Sequence, residues 1–335
     1  MKKMKKKTDQ GFTLIELMVA MVIALVVMGA IFMTFKSQQD SYVIQDQVTR
    51  MQQNLRGAMY MMTRDIQMAG YYTNFDRFSC SADWDDDGDD ESVRPLIYGC
   101  DNVTGAADIK DNTDVISIAK ACHERDATTG NLVDSGSLGS GNSATGNTIT
   151  LSTLDLDGVG GNDLNDSSPG GKHFGLLVKS DLGKADIFEV DSITGNTITT
   201  TEALKENYTE GDKIFRADVV IYKVEVKDGR PCLVRKNLGS NNGFQVVAED
   251  IDSLQVRYRL NDGTWVTGDD GAGSFIPDMY KVRAVEVSLL ARTANKIRGY
   301  TGPSTYTLGD YGIAAGDGYR RKSLTSVIET RNIGL

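Results

Sequence analysis

The stretch that decides the fold runs from Gly11 to Phe35, GFTLIELMVAMVIALVVMGAIFMTF. From Phe12 to Phe35 there are 24 residues and a single charge, Glu16. A helix of that length is long enough to cross a hydrocarbon core of ~30 Å. Just before it stand Lys2, Lys3, Lys5, Lys6 and Lys7. By the positive-inside rule this basic end stays in the cytoplasm and the C-terminal part is sent across. A secretory signal peptide has a shorter apolar core, with a small-residue cleavage site after it. Here the run is too long and passes directly into an amphipathic helix. A plain membrane anchor has no use for a carboxylate at the start of the span, because burying an ionised Glu costs about 3 kcal/mol unless it is paired.

Beyond Phe35 the composition changes while the helical period continues. Ile44, Val48, Met51, Leu55, Met59 (with Ala58), Met62, Ile66 and Ala69 recur at steps of three or four, one face of a helix. Gln38, Gln39, Asp46, Arg50, Gln53, Arg56 and Arg64 fall on the other face. No proline interrupts the chain between Phe12 and Ala69, and Gly70 supplies a C-terminal stop. Met59, Met61, Met62 and Met68 suit core packing better than metal binding, because methionine fills irregular gaps.

The remainder reads as short strands and turns. Segments of β-branched or alternating character are expected at 115–121, 148–154, 176–179, 187–190, 197–201, 219–226, 232–236, 244–247, 254–260, 282–290 and 323–330. Asp228-Gly229 and Asn261-Asp262-Gly263 read as hairpin turns. The pentapeptide GNTIT occurs twice, at Gly146–Thr150 and Gly195–Thr199, each read as a turn entering a strand. Two short copies do not make a repeat architecture.

The Lys-rich leader, the local sequence Gly11-Phe12-Thr13-Leu14-Ile15-Glu16 and some twenty apolar residues after it resemble the class III signal of type IV prepilins and type II secretion pseudopilins. The resemblance implies cleavage by prepilin peptidase between Gly11 and Phe12, N-methylation of Phe12, and pairing of Glu16 with the Phe12 amine of a neighbouring subunit. Such a pair fixes axial register more than it adds stability. Further along, Arg64–Tyr71 (RDIQMAGY), Val247–Tyr258 (VAEDIDSLQVRY), Val282–Arg292 (VRAVEVSLLAR) and Tyr319–Asn332 (YRRKSLTSVIETRN) resemble PilW-type minor pilins, in the same order. Residues 75–215 match poorly and are expected to hold subunit-specific loops.

The implied fold is α+β: a long N-terminal helix, transmembrane then amphipathic, packed on a mostly antiparallel β-sheet head with long loops, the ladle shape of pilins. The chain divides into a cleaved cytoplasmic leader (1–11), the transmembrane half-helix (12–35), the amphipathic half-helix (36–70) and an extracytoplasmic head (71–335). Many major pilins carry a helix-breaking Pro in the first half, where this chain has Met33, a departure that points away from the bulk filament subunit. The implied function is that of a minor pilin in type IV pilus assembly, initiation or a tip complex. The implied partners are other minor and major pilins, the prepilin peptidase, the inner-membrane assembly platform and the membrane itself. The head is expected in the periplasm before assembly and on a pilus or the cell surface afterwards. Alternatives are a minor pseudopilin of type II secretion, a pilus-tip adhesin, a membrane-tethered calcium-binding surface protein, and a membrane-tethered hydrolase with an unrecognised site.

Other chemistry finds less support. The formal net charge is −10, and without residues 1–11, which carry five Lys and one Asp, it is −14. So acidic a head, with no basic stripe, argues against nucleic acid as a direct ligand. Cys80, Cys100, Cys122 and Cys232 are widely spaced, with no CxxC. Outside the cytosol one or two disulfides are expected, and sequence permits three pairings. Cys80–Cys100 would close the shorter loop, leaving Cys122–Cys232 to tie distant parts of the head together. Asp83, Asp85, Asp87 and Asp89, with Gly88, resemble the first half of a calcium loop, but its twelfth position is Arg94 instead of Glu. Asp155, Asp157, Asp163 and Asp166 form a weaker version. Apart from calcium, no cofactor is expected. There is no HExxH, GxSxG or P-loop, and the only histidines are His123 and His173. No enzyme is expected.

Overall fold

The computed structural model describes residues 12–70, 97–105, 109–121, 135–155, 164, 173–180, 185–204, 206–237, 243–268, 281–309 and 311–333. The chain divides into two compact units, Met1–Arg50 and Met51–Leu335. Helix α1 (Leu14–Gln67) covers 54 residues, as the absence of proline predicts. In the first unit every side chain from Phe12 to Val43 is exposed, and the helix is long and apolar enough to cross a membrane.

In the second unit the remaining turns of α1 bury Met51, Leu55, Ala58, Met59, Met62, Asp65 and Ile66. These are the expected stripe with one addition, Asp65. Met61 departs from the expectation of inward packing and is 41% exposed. It follows from geometry, since Met62 is buried and consecutive residues lie about 100° apart around a helix. The helix ends at Gly70 in a left-handed conformation (φ 69°), and the Gly70 N–H donates to Ala119 O at 3.1 Å.

The strands, in chain order, are β1 (Ile97–Val103), β2 (Thr113–Ala121), β3 (Ser135–Ser137), β4 (Ser143–Thr145), β5 (Thr148–Thr150), β6 (His173–Val178), β7 (Ala185–Thr194), β8 (Thr197–Thr200), β9 (Lys213–Lys227), β10 (Arg230–Asn237), β11 (Gln245–Glu249), β12 (Ile251–Leu260), β13 (Trp265–Val266), β14 (Val282–Arg292), β15 (Thr305–Leu308), β16 (Tyr311–Ala314) and β17 (Arg321–Glu329). All the described pairings are antiparallel. Asp228 and Gly229 form the two-residue β9–β10 turn, with φ of 51° and 75°, the pair of positive values that such a hairpin demands.

The 15-residue strand β9 organises the larger sheet. Its later part lies between β2 and β10, with β1 and β11 outside them. Its earlier part pairs with β3 and β6, and the sheet continues through β7, β8, β5 and β4. That earlier part has a core of its own, made of Leu138, Ala144, Ile149, Leu151, Leu164, Leu177, Phe188, Ile198, Tyr208 and Ile214. Much of the region expected to be subunit-specific loops is therefore a small β module. A second sheet runs β13-β12-β14-β17. Asp114 joins the sheets by accepting from Asn102 N (2.9 Å) and Val256 N (2.6 Å).

Candidate functional site

The first site residues lie at the start of α1. Thr13 and Glu16 bond reciprocally: Glu16 Oε2 accepts from Thr13 N and from Thr13 Oγ1, both at 2.9 Å, and Glu16 N donates to Thr13 Oγ1 at 3.3 Å. This is a capping box, in which Thr at the N-cap and Glu three residues on satisfy amides that a helix start leaves open. The reading that an anchor has no use for Glu16 thus needs amending, because the carboxylate serves its own helix. The signal was present as Thr-x-x-Glu before an apolar run. Phe12 is 89% exposed. Gly11 lies outside the described residues.

The second site anchors the end of the helix to the larger sheet. Asp65, on the buried stripe of α1, accepts from Lys120 Nζ of β2 at 2.9 Å through Oδ1. Its Oδ2 accepts from Tyr222 OH of β9 at 2.7 Å and from Arg235 Nε of β10 at 3.0 Å. Three adjacent strands thus converge on one carboxylate. Burial pushes the Asp65 carboxyl up, but Lys120, Tyr222 and Arg235 outweigh it and hold the group below its ordinary range. Burial, together with the Asp65 charge, drives the Tyr222 phenol well above its usual value. Asp65 was missed in the sequence, where it lies between Met62 and Ile66 inside the apolar stripe. A charge there is the signal.

A comparable knot lies in the second sheet. Asp252 of β12 accepts from Arg321 Nε of β17 at 2.6 Å and pairs with Lys110 Nζ at 3.2 Å. Burial pushes its carboxyl up, and these cations together with Arg292 bring it below the ordinary range. Arg321 also grips Asp317 with two bonds, at 2.6 and 2.8 Å.

Of the cysteines, Cys100 on β1 and Cys232 on β10 are buried, and burial pushes the Cys232 thiol up. Cys80 and Cys122 lie outside the described residues, as do Asp83, Asp85, Asp87 and Asp89. Of the weaker acidic loop only Asp155 is described, and its N–H donates to Thr153 Oγ1 at 3.1 Å. Among the described residues no group of three or more His, Cys, Asp or Glu is placed to hold a metal. His173 lies on β6.

Residues 6–32 match the prokaryotic N-terminal methylation motif. A long apolar helix bearing that motif, followed by an antiparallel β head, defines a type IV pilin-like protein. Residues 221–332, from β9 through the end of β17, match the family Type IV Pilus-assembly protein W, PilW. Together the two matches support a PilW-type minor pilin of the type IV pilus. Among solved structures it is similar to the type IV-like pilin TTHA1219 from Thermus thermophilus, with 16% identity, 49% of this chain and 87% of that chain covered, and a TM-score of 0.22. A superposition that loose does not bear on the fold. No curated protein matches the chain.

Proposed function

We propose that this minor pilin is a structural subunit that helps to start or cap a type IV pilus. The observation that carries the reading is the pairing of the methylation motif, on an apolar helix, with the PilW match in the late sheet. In this reading prepilin peptidase cuts between Gly11 and Phe12, and Phe12 is N-methylated. The chain enters the filament from the inner membrane, with its head in the periplasm before assembly and on the pilus or cell surface afterwards. Its partners are the other minor and major pilins and the inner-membrane assembly platform. Its role is non-catalytic.

Glu16 has two successive uses. Within the lone subunit the capping box satisfies its carboxylate locally. In the filament it neutralises the Phe12 amine of an adjoining subunit, an exchange of partners that leaves no carboxylate unmatched in an apolar bundle. Glu16→Ala is expected to be cut normally and to stay out of filaments. Deleting the chain should reduce the number of surface pili counted by electron microscopy, with rescue by the native copy and none by a Gly11-altered one. Unchanged pilus numbers after deletion would remove the assembly role.

A further inference from the structure

Strand β17 forms one end of the second sheet, and its ladder with β14 runs through nine opposed pairs, from Ala284–Glu329 to Arg292–Arg321, without a shift of register. The bonds just beyond its two ends fix which backbone groups face β14. Thr293 N donates to Arg320 O at 2.9 Å, and Thr330 N donates to Arg283 O at 3.0 Å. Hydrogen-bonded and non-bonded pairs alternate along an antiparallel ladder, so the even-numbered residues of β17 turn their N–H and C=O groups toward β14. The odd-numbered Ser323, Thr325, Val327 and Glu329 turn theirs away, and all four residues are exposed. Among the described residues nothing bonds to these outward backbone groups.

Proteins guard a free edge with a bulge, a proline, a charge, a cover or a short strand. The other described edges follow that rule. β3, β13, β15 and β16 are two to four residues long. β11 has five residues and a register shift against β10, and Glu249 O takes Asn54 Nδ2 at 3.1 Å. β1 shifts register between Cys100 and Val103, and the bridge from Ala144 to Tyr208 closes β4. β17 has none of these devices. From Ser323 to Ile328 it carries no charge and no proline, and Val327 is 48% exposed. A row of N–H and C=O groups recurring at ~6.8 Å is complementary to another extended backbone.

The charges at the ends of β17 select the strand that fits it. Arg320 and Lys322 are exposed cations at its start and Glu329 is an exposed anion at its close, and among the described residues none of the three has an ion partner. Arg331 comes only after Thr330 has bonded back to Arg283 and the chain has bent. A second copy of β17 laid antiparallel brings the basic end of each strand to the acidic end of the other, twice. Laid parallel, it would set like charges side by side. With Thr325 at the axis, Thr325 faces Thr325 and Ser323 faces Val327 on either side, all of them residues whose backbone groups point outward. Each such pair exchanges two bonds, about six in all. A two-fold contact also consumes the edge, so pairing stops at two copies and builds no fibre. We propose that β17 is a self-pairing edge, through which two copies of this chain join their second sheets into one.

The test is sedimentation velocity of the full-length chain in a non-ionic detergent, with micelles in excess over protein, across a range of protein concentrations. A monomer–dimer equilibrium is expected. Val327→Pro removes an outward donor and none of the bonds to β14. It should keep the native melting temperature and weaken the dimer by roughly tenfold or more. Lys322→Glu and Glu329→Lys each set like charges together at both ends, and each alone should weaken the dimer roughly fivefold. An equimolar mixture of those two variants puts opposite charges back at both ends and should dimerise as tightly as the native chain, which a contact elsewhere would not give. Should Val327→Pro melt early, the mixture decides alone. The proposal is overturned by a native chain that stays monomeric, its edge then being left to water or to another protein. It is also overturned by a dimer that a folded Val327→Pro leaves intact, as one held by the apolar helix would be, or by a mixture no tighter than either variant by itself.

Discussion

Asp65 sits on a stripe where every neighbouring position is apolar, and it is held there by the three donors that meet it. Removing the carboxylate leaves buried Lys120 and half-buried Arg235 without their counter-charge, so Asp65→Ala is expected to destabilise the head by about 3–5 kcal/mol. Asp65→Asn keeps part of the hydrogen bonding and should cost less, and chemical denaturation of both variants in micelles would rank them. The pH dependence follows from the same carboxylates. Asp65 and Asp252 have folded pKa values held below the unfolded value of ~3.9. Their contribution is therefore fully present above about pH 4 and is lost as pH falls through the folded values. Asp250 works the other way, because burial raises its carboxyl. Melting temperature should thus be flat near neutrality and drop in acid, with the acid limb shallower in Asp65→Asn. An unchanged acid limb in that variant would assign the loss to other groups. Glu16 was legible from its place in the motif, and its bond to Thr13 was signalled by the Thr-x-x-Glu spacing, whereas the role of Asp65 needed the three-dimensional neighbours that sequence spacing leaves unspecified.

At the scale of elements, the expected strands match β2, β5 to β12, β14 and β17 because each carries enough β-branched or alternating residues to show a period. The missed ones have physical reasons. β3 is Ser-Gly-Ser and β4 is Ser-Ala-Thr, each three residues long and too short for any pattern. β1 is Ile-Tyr-Gly-Cys-Asp-Asn-Val, poor in strand formers, and forms by pairing with β2. Its Gly99 has a role of contact: a Cβ there would collide with the Tyr258 hydroxyl and with Val115 O. Four strands of the β module, β5 to β8, were expected one by one, but not their union in a module with its own core, because that core is assembled from one or two residues per short strand. Ile198 belongs to that core and is fully buried. Ile198→Ala should cost about 2–5 kcal/mol. Amide exchange should rise within residues 135–214 while β12, β14 and β17 stay protected, if the module opens as a cooperative unit. Equal loss of protection in both regions would mean that β9 couples them into one.

For the molecule as a whole, the two ends of the chain obey different solvents. The head closes its own core, but Phe12 to Phe35 present an apolar surface that nothing in the first unit covers. Membrane insertion resolves that conflict, and its strength can be reckoned from composition. The span holds thirteen Leu, Ile, Val and Phe residues, which at about 0.3–0.6 kcal/mol each contribute roughly 4–8 kcal/mol toward insertion, an upper bound because those values apply at mid-span. One central Arg costs about 2.5–3.5 kcal/mol, so Val26→Arg should remain in membranes washed with alkaline carbonate. A second Arg at Val22 brings the sum near zero, and the double variant should appear in the wash. Release of the single variant would mean that the span is weaker than its composition implies. Full retention of the double variant would mean that another part of the chain holds it, and that the first unit is not the anchor.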